Sequence, residues 1–469
     1  MEAFVGRKEQ IKLINKFFTS DKEHAGLIYG RRRIGKTELI KHCLTLNKNI
    51  FSIYYECKET SEANNVASFS EIISEKLDFP PLSFSTFEQA LNFLYEQTKS
   101  KEFIVVIDEY PYLRKVVAGL DSIIQTLIDN NKNSSKLKII LCGSYVETMQ
   151  SLLEKENPLF GRFDLVMNLR PMDYYESSFF YKDFSEEDKV RLFSVFGGIP
   201  YYNRLIDSKK TVKENIIDLI ASPSSRLENE VVMYLKSEIS KMQNAYEVFE
   251  VMARGFVKFS DILSQSKVSS SPALADILEK LIKMDIVEKK SPINDENNRK
   301  KAGYYVSDPL TLFYFKYIYR NLSRLNVMES NAFFDKFILS DFEEKYVPKA
   351  FETICRQFLI IKNRYGHLKD DFERIGKYYY DDPVNKKNGE FDVVTEKDGE
   401  YIFYEAKFKN EMLDINLIQT KIQQVNKTGL KCKKYGFFSK SGFKCIDENL
   451  KENLILYDLK SIYNLTCVD

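Results

Sequence analysis

Eight consecutive residues have the types and spacing that phosphate binding needs. Residues 30–37 complete the pattern G-x-x-x-x-G-K-[ST], between an apolar run and a helical run. In such a loop backbone N–H groups surround the phosphates of a nucleoside triphosphate, the lysine reaches the terminal phosphates, and the hydroxyl binds Mg²⁺. The predicted nucleotide-binding residues are Gly30, Arg31, Arg32, Arg33, Ile34, Gly35, Lys36 and Thr37, with Thr37 also a Mg²⁺ ligand.

A second run supplies the acids that hydrolysis of a nucleotide requires. Residues 103–109 form an apolar strand pattern that ends in Asp108 and Glu109. We expect Asp108 to bind the nucleotide and its Mg²⁺ shell, and Glu109 to orient and polarise the attacking water. A third apolar run ends at Ser144, which has two open interpretations. It either reaches the γ-phosphate and its water, or only forms a strand-to-helix turn.

Near the C-terminus the chain contains acidic residues and a lysine, the residue types that enzymes use to cleave phosphodiesters. Asp392 lies in one strand pattern, and Glu405 and Lys407 lie in the next. Because residues i and i+2 of a strand face the same side, Glu405 and Lys407 should project together. A turn at 397–399 should bring Asp392 beside Glu405. Two carboxylates and a lysine would bind Mg²⁺ or Mn²⁺ and steady a water or the scissile phosphate. The alternative is a solvated hairpin edge with alternating charges.

The hydrophobic pattern predicts the elements that position these residues. Up to residue 172, apolar strands alternate with helical stretches, which is typical of a parallel α/β sheet. Residues 173–238 have a helical pattern. Residues 239–325 predict three helices and two short strands around a polar loop at 294–301, which together indicate a winged helix with a mobile loop. The expected strands of the first part are 26–29, 50–55, 103–107, 138–142 and 165–169.

Two further segments have basic or polar residues suited to nucleic acid. The helix at 272–284 would be the reading helix of the winged module, but its mixed charges suit a protein contact equally well. Lys431, Lys433 and Lys434 form a basic cluster that either tracks a phosphate backbone or is a solvated charge run.

Composition excludes several classes of protein. The 469 residues hold 69 Lys+Arg and 68 Asp+Glu, so a nucleic-acid surface would have to be a local patch. The seven cysteines are scattered and make no C-x-x-C pair, which argues against structural zinc and for a reduced compartment. The N-terminal residues do not form a signal peptide, and no apolar run is long enough to span a membrane. We therefore expect a cytoplasmic protein without membrane contact.

The ordered motifs of the first 325 residues resemble the prokaryotic "archaeal ATPase" group of AAA and STAND-like P-loop ATPases. The resemblance rests on Phe-Val-Gly-Arg at 4–7, the loop at 30–37, Asp-Glu-Tyr at 108–110, Pro-Leu-Phe-Gly-Arg at 158–162 and Phe-Gly-Gly-Ile-Pro-Tyr-Tyr at 196–202. It implies ATP as the nucleotide. It also suggests Arg162 as a γ-phosphate-sensing or finger arginine, although an arginine after glycine could equally pair with a surface acid.

The last 120 or so residues resemble the PD-(D/E)XK nuclease fold. Asp392, Glu405 and Lys407 match the D, E and K of its motif, although the proline is absent. The resemblance implies that Glu352 is the acid of the first helix and a metal ligand together with Asp392 and Glu405. It also places Gln419 on a helix that faces the site.

Together these patterns predict an α/β protein with a P-loop parallel-sheet ATPase domain. The predicted domains are an ATPase core (1–172), a helical lid (173–238), a winged helix (239–325), a connecting helix (326–345) and a C-terminal α/β restriction-endonuclease-like domain (346–469). The favoured function is ATP hydrolysis coupled to metal-dependent cleavage of nucleic acid, with DNA favoured over RNA. The alternative is a nucleotide-dependent switch whose tail binds nucleic acid or protein without cutting. A homo-oligomer is left open.

Overall fold

The computed structural model divides the chain into two compact units. The N-terminal unit comprises Met1–Met172 and Ile199–Tyr201, and the second unit comprises Asp173–Gly198 and Tyr202–Asp469. No helix in the part of the chain that the structure describes is both long and apolar enough to cross a membrane. The described residues are 4–99, 101–228, 230–239, 244–298, 300–382, 387–428, 432–444 and 453–465.

The N-terminal unit is built on a parallel sheet of five strands. Their order across the sheet is β2-β3-β4-β1-β5, and every pair is parallel. The three central strands are buried along their whole length, which explains why the sequence shows unbroken apolar runs there. The predicted strands are confirmed to within two residues at their ends. The strands are β1 Ala25–Tyr29, β2 Phe51–Glu56, β3 Phe103–Asp108, β4 Leu137–Gly143 and β5 Leu165–Asn168.

Helices cover this sheet and connect its strands. Strands β3, β4 and β1 are adjacent and parallel, so the residues that follow them meet at one edge of the sheet. This edge brings the loop at 30–37 close to the acids that follow β3. The helices that begin in this unit are α1 Lys8–Thr19, α2 Lys36–Leu46, α3 Glu62–Leu77, α4 Phe87–Gln97, α5 Tyr110–Val116, α6 Leu120–Asn131 and α7 Val146–Gln150, followed by a 3₁₀ turn at Ser151–Leu153.

The second unit begins with helices, as the pattern predicted. Their assignment to a lid stays a prediction. They are α8 Tyr174–Ser178, α9 Glu186–Phe196, α10 Pro200–Asn203, whose first two residues belong to the N-terminal unit, α11 Val212–Leu219 and α12 Glu230–Ile239.

A helix–hairpin module follows at residues 245–306, in the order expected for a winged helix. Its identification as a winged helix stays a prediction. Residues 291–302 connect its two strands, and the mobility expected for 294–301 stays a prediction. Just before that segment, Ile293 is 5% exposed and its N–H donates to the carbonyl of Lys377 at 2.8 Å. The elements are α13 Ala245–Ala253, α14 Phe259–Gln265, α15 Ser271–Lys283, β6 Val287–Lys290 and β7 Gly303–Val306.

The connection at 326–345 is not the single helix that we expected. Glu329 has extended backbone angles, and its carboxylate accepts from the N–H of Ala332, so it ends one helical segment and caps the next. The helical elements from residue 309 to residue 346 are α16 Pro309–Phe313, a π-helix Tyr314–Ile318, a 3₁₀ turn Tyr319–Asn321, α17 Leu322–Leu325, α18 Ser330–Phe337, α19 Leu339–Asp341 and a second π-helix Phe342–Tyr346.

The C-terminal part contains a mixed sheet with strand order β12-β11-β10-β9-β8. Pairs β8–β9 and β9–β10 are antiparallel, while β10–β11 and β11–β12 are parallel. Asp398 and Gly399 have φ of 52° and 78°, as a two-residue hairpin turn requires. The elements are α20 Val347–Arg364, β8 Arg374–Asp382, β9 Lys387–Lys397, β10 Glu400–Lys407, α21 Ile415–Asn426, β11 Cys432–Ser439, β12 Leu454–Asp458 and α22 Leu459–Tyr463.

Strand β9 contains a bulge that the sequence pattern did not reveal. Gly376 of β8 pairs with Val394, and Tyr378 pairs with Phe391, so one residue of β8 opposes two residues of β9. An extra residue of this kind shifts the alternation of side chains along the strand. As a result Phe391 and Val394, three positions apart, pack in the same hydrophobic cluster.

Candidate functional site

The ammonium of Lys36 is the centre of a polar network at the sheet edge of the N-terminal unit. Its Nζ donates to the carbonyl oxygens of Gly30 at 2.8 Å and Arg31 at 3.1 Å, and to the Oγ of Ser144 at 3.1 Å. Lys36 is 5% exposed, and a buried ammonium is costly unless polar atoms surround it. The loop therefore holds its lysine beside the positions where this motif binds phosphate.

Close packing of the backbone explains the first glycine of this loop. Gly30 has a φ of 154°, and a Cβ at this position would lie 2.4 Å from the carbonyl oxygen of Leu169. No side chain fits there without moving the backbone. The glycine that the motif demands is thus required by the fold as well as by the phosphate.

Asp108 is held by three hydrogen bonds and is 2% exposed. Its Oδ2 accepts from the hydroxyl of Thr37 at 2.8 Å and from the hydroxyl of Tyr54, and its Oδ1 accepts from the N–H of Glu109 at 2.9 Å. Burial, followed by the charge of Asp108, raises the pKa of Tyr54 well above its usual value, so this phenol stays a donor. The Thr37 hydroxyl and the Asp108 carboxylate fit Mg²⁺, which typically takes few protein oxygens beside phosphates and waters.

Glu109 adopts a left-handed backbone conformation with a φ of 51°. Residues other than glycine adopt this conformation infrequently, and it recurs at active sites. The Oγ of Ser144 donates to Glu109 Oε1 at 2.7 Å, and Glu109 Oε2 is buried without a hydrogen-bond partner among the described residues. Lys36, Ser144 and Glu109 thus form a continuous chain of hydrogen bonds.

The arginines of the loop have different surroundings. Arg31 is 5% exposed, whereas Arg32 and Arg33 are exposed. The guanidinium of Arg33 lies 4.0 Å from the centroid of the Tyr201 ring, which belongs to the same unit. Next to the loop, Arg7 is 3% exposed and donates to the carbonyl of Ile34 at 3.4 Å. The motif at 4–7 is therefore in direct contact with the phosphate loop.

Arg162 contacts an acid in the structure. Its guanidinium lies 3.2 Å from the carboxylate of Asp129 and donates to the carbonyl of Phe160 at 2.8 Å. This contact matches the alternative interpretation of Arg162 as a surface ion pair. Its role as a finger arginine stays a prediction.

The C-terminal candidate residues lie where strands β9 and β10 part. Their pairing ends at Val393 and Tyr404, and Asp392 and Glu405 are the next residues on each strand. Lys407 does project with Glu405, as predicted, with 2.5 Å between Nζ and Oε1. The polar residues thus collect at a fork in the sheet.

Each acid at this fork is neutralised from a different side. Asp392 Oδ1 lies 3.0 Å from the Nζ of Lys349, on α20, and 3.0 Å from the Nζ of Lys377, on β8. The same Lys349 lies 2.7 Å from Glu352 Oε2. In contrast, Glu405 Oε1 lies 3.1 Å from the Nζ of Lys421, on α21.

The expected three-carboxylate cluster of Glu352, Asp392 and Glu405 is therefore not formed. Among the residues that the structure describes, no group of three or more His, Cys, Asp or Glu side chains is placed to hold a metal ion. The expectation relied on the hairpin to bring Asp392 beside Glu405, but Asp392 lies at the bulge of β9, where the alternation of side chains is shifted, and it contacts a lysine of α20. Glu352 and Asp392 come together, and Glu405 stays with Lys407 and Lys421.

The pKa values of the neighbouring carboxyl groups of Glu352 and Asp392 are shifted in opposite directions. Burial, and then the neighbouring charge of Asp392, raises the pKa of Glu352 to about 7. Burial would also raise the pKa of Asp392, but the ammonium groups of Lys349 and Lys377 outweigh it and lower that pKa to about 2. Asp392 is thus the ionised partner, and Glu352 is the carboxyl that carries a proton up to neutral pH.

The predicted nucleic-acid contacts are largely neutralised within the chain. Lys433 and Lys434 lie 3.0 and 2.9 Å from the carboxylate of Asp370, while Lys431 lies outside the described residues. Gln419 is exposed, so Lys421 rather than Gln419 is the residue of α21 that reaches Glu405.

Four participants were missed from the sequence. Lys349 could have been found, since it precedes Glu352 by three residues and shares its helix face. Tyr54, Lys377 and Lys421 carry no local signal, because each meets its acid only through strand pairing or helix packing.

Known families match two parts of this chain. Residues 4–206 match the family described as an ATPase domain predominantly from Archaea. Residues 314–425 match a second family, described as "Archaea bacterial proteins of unknown function".

Individual relatives and a solved structure agree with these matches. An uncharacterized protein of Methanocaldococcus jannaschii is 28% identical over 411 residues, 87% of this chain and 88% of the relative. An uncharacterized ATP-binding protein of the same organism is 23% identical over 56% of this chain and 84% of its own length. A Walker-type ATPase of Pyrococcus abyssi is 20% identical with a TM-score of 0.50, covering 67% of this chain and 96% of that protein. The N-terminal part of the chain therefore has the fold of a P-loop ATPase domain.

Proposed function

We propose that this protein binds and hydrolyses ATP at the edge of the parallel sheet in its N-terminal unit. The observation that carries the proposal is the hydrogen-bonded chain from Lys36 through Ser144 to Glu109, beside the contact between Thr37 and Asp108. These contacts support the proposal because they join a cation, two oxygen groups that could bind a metal, and an acid, which are the parts that a hydrolytic site needs. ATP would supply the phosphoanhydride bond that is cleaved.

Each residue then has a defined task. The Nζ of Lys36 exchanges the carbonyl oxygens of its own loop for phosphate oxygens, because a charge-assisted contact to phosphate is the stronger one. Thr37 and Asp108 hold Mg²⁺. Glu109 orients the attacking water through Oε2, while Ser144 fixes its other oxygen.

Two substitutions test this proposal. Glu109→Gln should retain ATP but hydrolyse it about 100- to 1,000-fold more slowly, since positioned acid–base groups contribute factors of this size. Lys36→Ala should lose affinity for ATP. Glu154→Gln, on the exposed surface of the same unit, is the matched control for the first variant and should hydrolyse ATP at the wild-type rate. Wild-type turnover in Glu109→Gln would remove the role assigned to that residue.

A second candidate function concerns the C-terminal sheet, which would cut nucleic acid with the help of a divalent metal. The observation that favours it is the fork between β9 and β10, where Asp392, Glu405 and Lys407 follow the last strand pair. A divalent cation at Asp392 would compete with the ammonium groups of Lys349 and Lys377, and Glu352 would have to release its proton to solvent to become a second oxygen ligand.

One assay distinguishes cleavage of nucleic acid from a nucleotide-dependent switch that binds without cutting. The protein is incubated with DNA and RNA, with and without ATP, in Mg²⁺ or Mn²⁺. Cleavage that Asp392→Ala and Lys407→Ala abolish, while ATP hydrolysis persists, supports the nuclease. Binding without cleavage, unchanged by these variants, supports the nucleotide-dependent switch.

A further inference from the structure

The 291–302 loop of the helix–hairpin module contributes a residue to the core of the C-terminal sheet. Ile293 is 5% exposed and belongs to the cluster that contains Tyr378, Phe391 and Phe403. A Cβ added at Gly376 would lie 2.5 Å from the Cγ2 of Ile293, so this glycine leaves the space into which the isoleucine inserts. The contact is apolar packing rather than a surface touch.

The same loop also satisfies the free edge of strand β8. Ile293 N–H donates to the carbonyl of Lys377 at 2.8 Å. The side-chain amide of Asn294 forms two bonds with the backbone of Tyr379, donating to its carbonyl at 2.7 Å and accepting from its N–H at 3.1 Å. Strand β8 is the last strand of its sheet, and unpaired edge groups invite pairing with other chains unless something covers them.

Charged contacts fix the loop in this position. The guanidinium of Arg374, on β8, donates to the carbonyl of Ile293 at 3.1 Å and to the carboxylate of Glu296 at 3.3 Å. Within the loop, Asp295 lies 3.1 Å from the Nζ of Lys301. Lys301, one of the basic residues of the loop, is thus paired within the protein.

The two lysines of the helix that would read nucleic acid, both in its last turn, are paired as well. On α15, Lys280 lies 2.9 Å from Asp276 and Lys283 lies 3.3 Å from Glu279, and both pairs are exposed. Nucleic-acid binding depends on cations that displace the counterions of phosphates, and these four side chains offer none in excess.

We propose that the 291–302 loop is the built-in partner of edge strand β8, so that the helix–hairpin module clamps the C-terminal sheet instead of offering its loop to nucleic acid. The clamp has a consequence for the fork. The backbone carbonyl of Lys377 accepts a hydrogen bond from the loop. Its Nζ lies 3.0 Å from the carboxylate of Asp392 and 2.8 Å from that of Glu390. A docked loop therefore fixes the lysine that neutralises Asp392. This inference does not depend on ATP hydrolysis or on cleavage.

Hydrogen exchange of the full-length protein, read by mass spectrometry on peptides that cover 290–298 and 376–381, tests the clamp. In the wild-type protein both segments should exchange slowly. Asn294→Ala removes two bonds to Tyr379, and it should speed exchange in the 376–381 peptide roughly tenfold or more. Asn297→Ala is the matched control, because Asn297 is exposed in the same loop, and this variant should exchange like the wild-type protein.

The experiment also separates the clamp from a nucleic-acid contact. Addition of a mixed-sequence DNA duplex should leave the protection of both peptides unchanged. The proposal is overturned if the wild-type segments exchange at the rate of an exposed loop, if Asn294→Ala and Asn297→Ala behave alike, or if DNA removes the protection. Thermal unfolding followed by circular dichroism checks that both variants are folded.

Discussion

The phosphate loop and the fork of the C-terminal sheet both gather lysines and carboxylates, but they are assembled in different ways. Residues 30–37 are consecutive, and their partners follow neighbouring parallel strands. The residues of the fork come from two helices and three strands, and a bulge decides which way Asp392 points. A site built from one continuous loop keeps its geometry wherever that loop occurs. A site built across elements depends on how each element packs.

The largest expected effect tests whether the two sites are chemically independent. Asp108→Asn removes the charge that would hold Mg²⁺, so ATP turnover should fall by about 100-fold or more. Asp392→Asn is the matched change at the fork, and it should leave turnover at the wild-type rate, because Asp392 belongs to the other unit. The measurement is steady-state ATP hydrolysis at saturating Mg²⁺. Equal losses in both variants would show that the two sites act as one.

Alanine substitutions at two glycines test how closely the backbone is packed in the two regions. Gly30→Ala places a Cβ 2.4 Å from the carbonyl of Leu169 and should cost about 3 kcal/mol or more of stability. In the hairpin turn, a Cβ at Gly399 would have no atom within 4 Å, so Gly399→Ala is opposed only by the backbone φ of 78°. We expect this substitution to cost about 1 kcal/mol of stability. Thermal and denaturant unfolding measure both. A larger loss for Gly399→Ala would contradict the packing argument.

The titration of Glu352 should make stability fall as the pH rises toward neutral. Burial and Asp392 raise its pKa to about 7, so between its usual value and pH 7 the folded state binds more protons than the unfolded state. By linkage, stability then decreases as the pH rises through this window, by roughly 2 kcal/mol. Glu352→Gln should remove this slope, whereas Glu411→Gln, an exposed control, should keep it. Denaturant unfolding at several pH values is the measurement, and an unchanged slope in Glu352→Gln would refute the assignment.

Arg162→Ala should have the smallest effect. The ion pair with Asp129 is about a third exposed on each side, and such pairs contribute about 1 kcal/mol or less. If Arg162 is only a surface partner, ATP turnover per subunit will be unchanged and independent of protein concentration. A finger role across subunits would instead make the rate rise with concentration, and Arg162→Ala would abolish that rise. Lys155→Ala, an exposed neighbour, serves as the control.

Much of the N-terminal site could be predicted because its motif is local. The spacing of Gly30, Lys36 and Thr37 fixes a loop that leads into a helix, and the apolar run before Asp108 fixes a buried strand. The side chain of Tyr54 could not be predicted. It reaches Asp108 only because β2 and β3 are neighbours in the sheet. The residues of these two strands do not by themselves determine the strand order.

At the C-terminus the sequence determined strands β9 and β10, the hairpin turn at 397–399, and the shared side of Glu405 and Lys407. Alternation along one strand and the backbone angles of a tight turn are local properties. Only the tertiary structure decided that Asp392 joins Lys349 and Glu352 rather than Glu405, and that Ile293 closes the sheet edge. These outcomes depend on the register between strands and on helices packed from distant parts of the chain, which no single segment encodes.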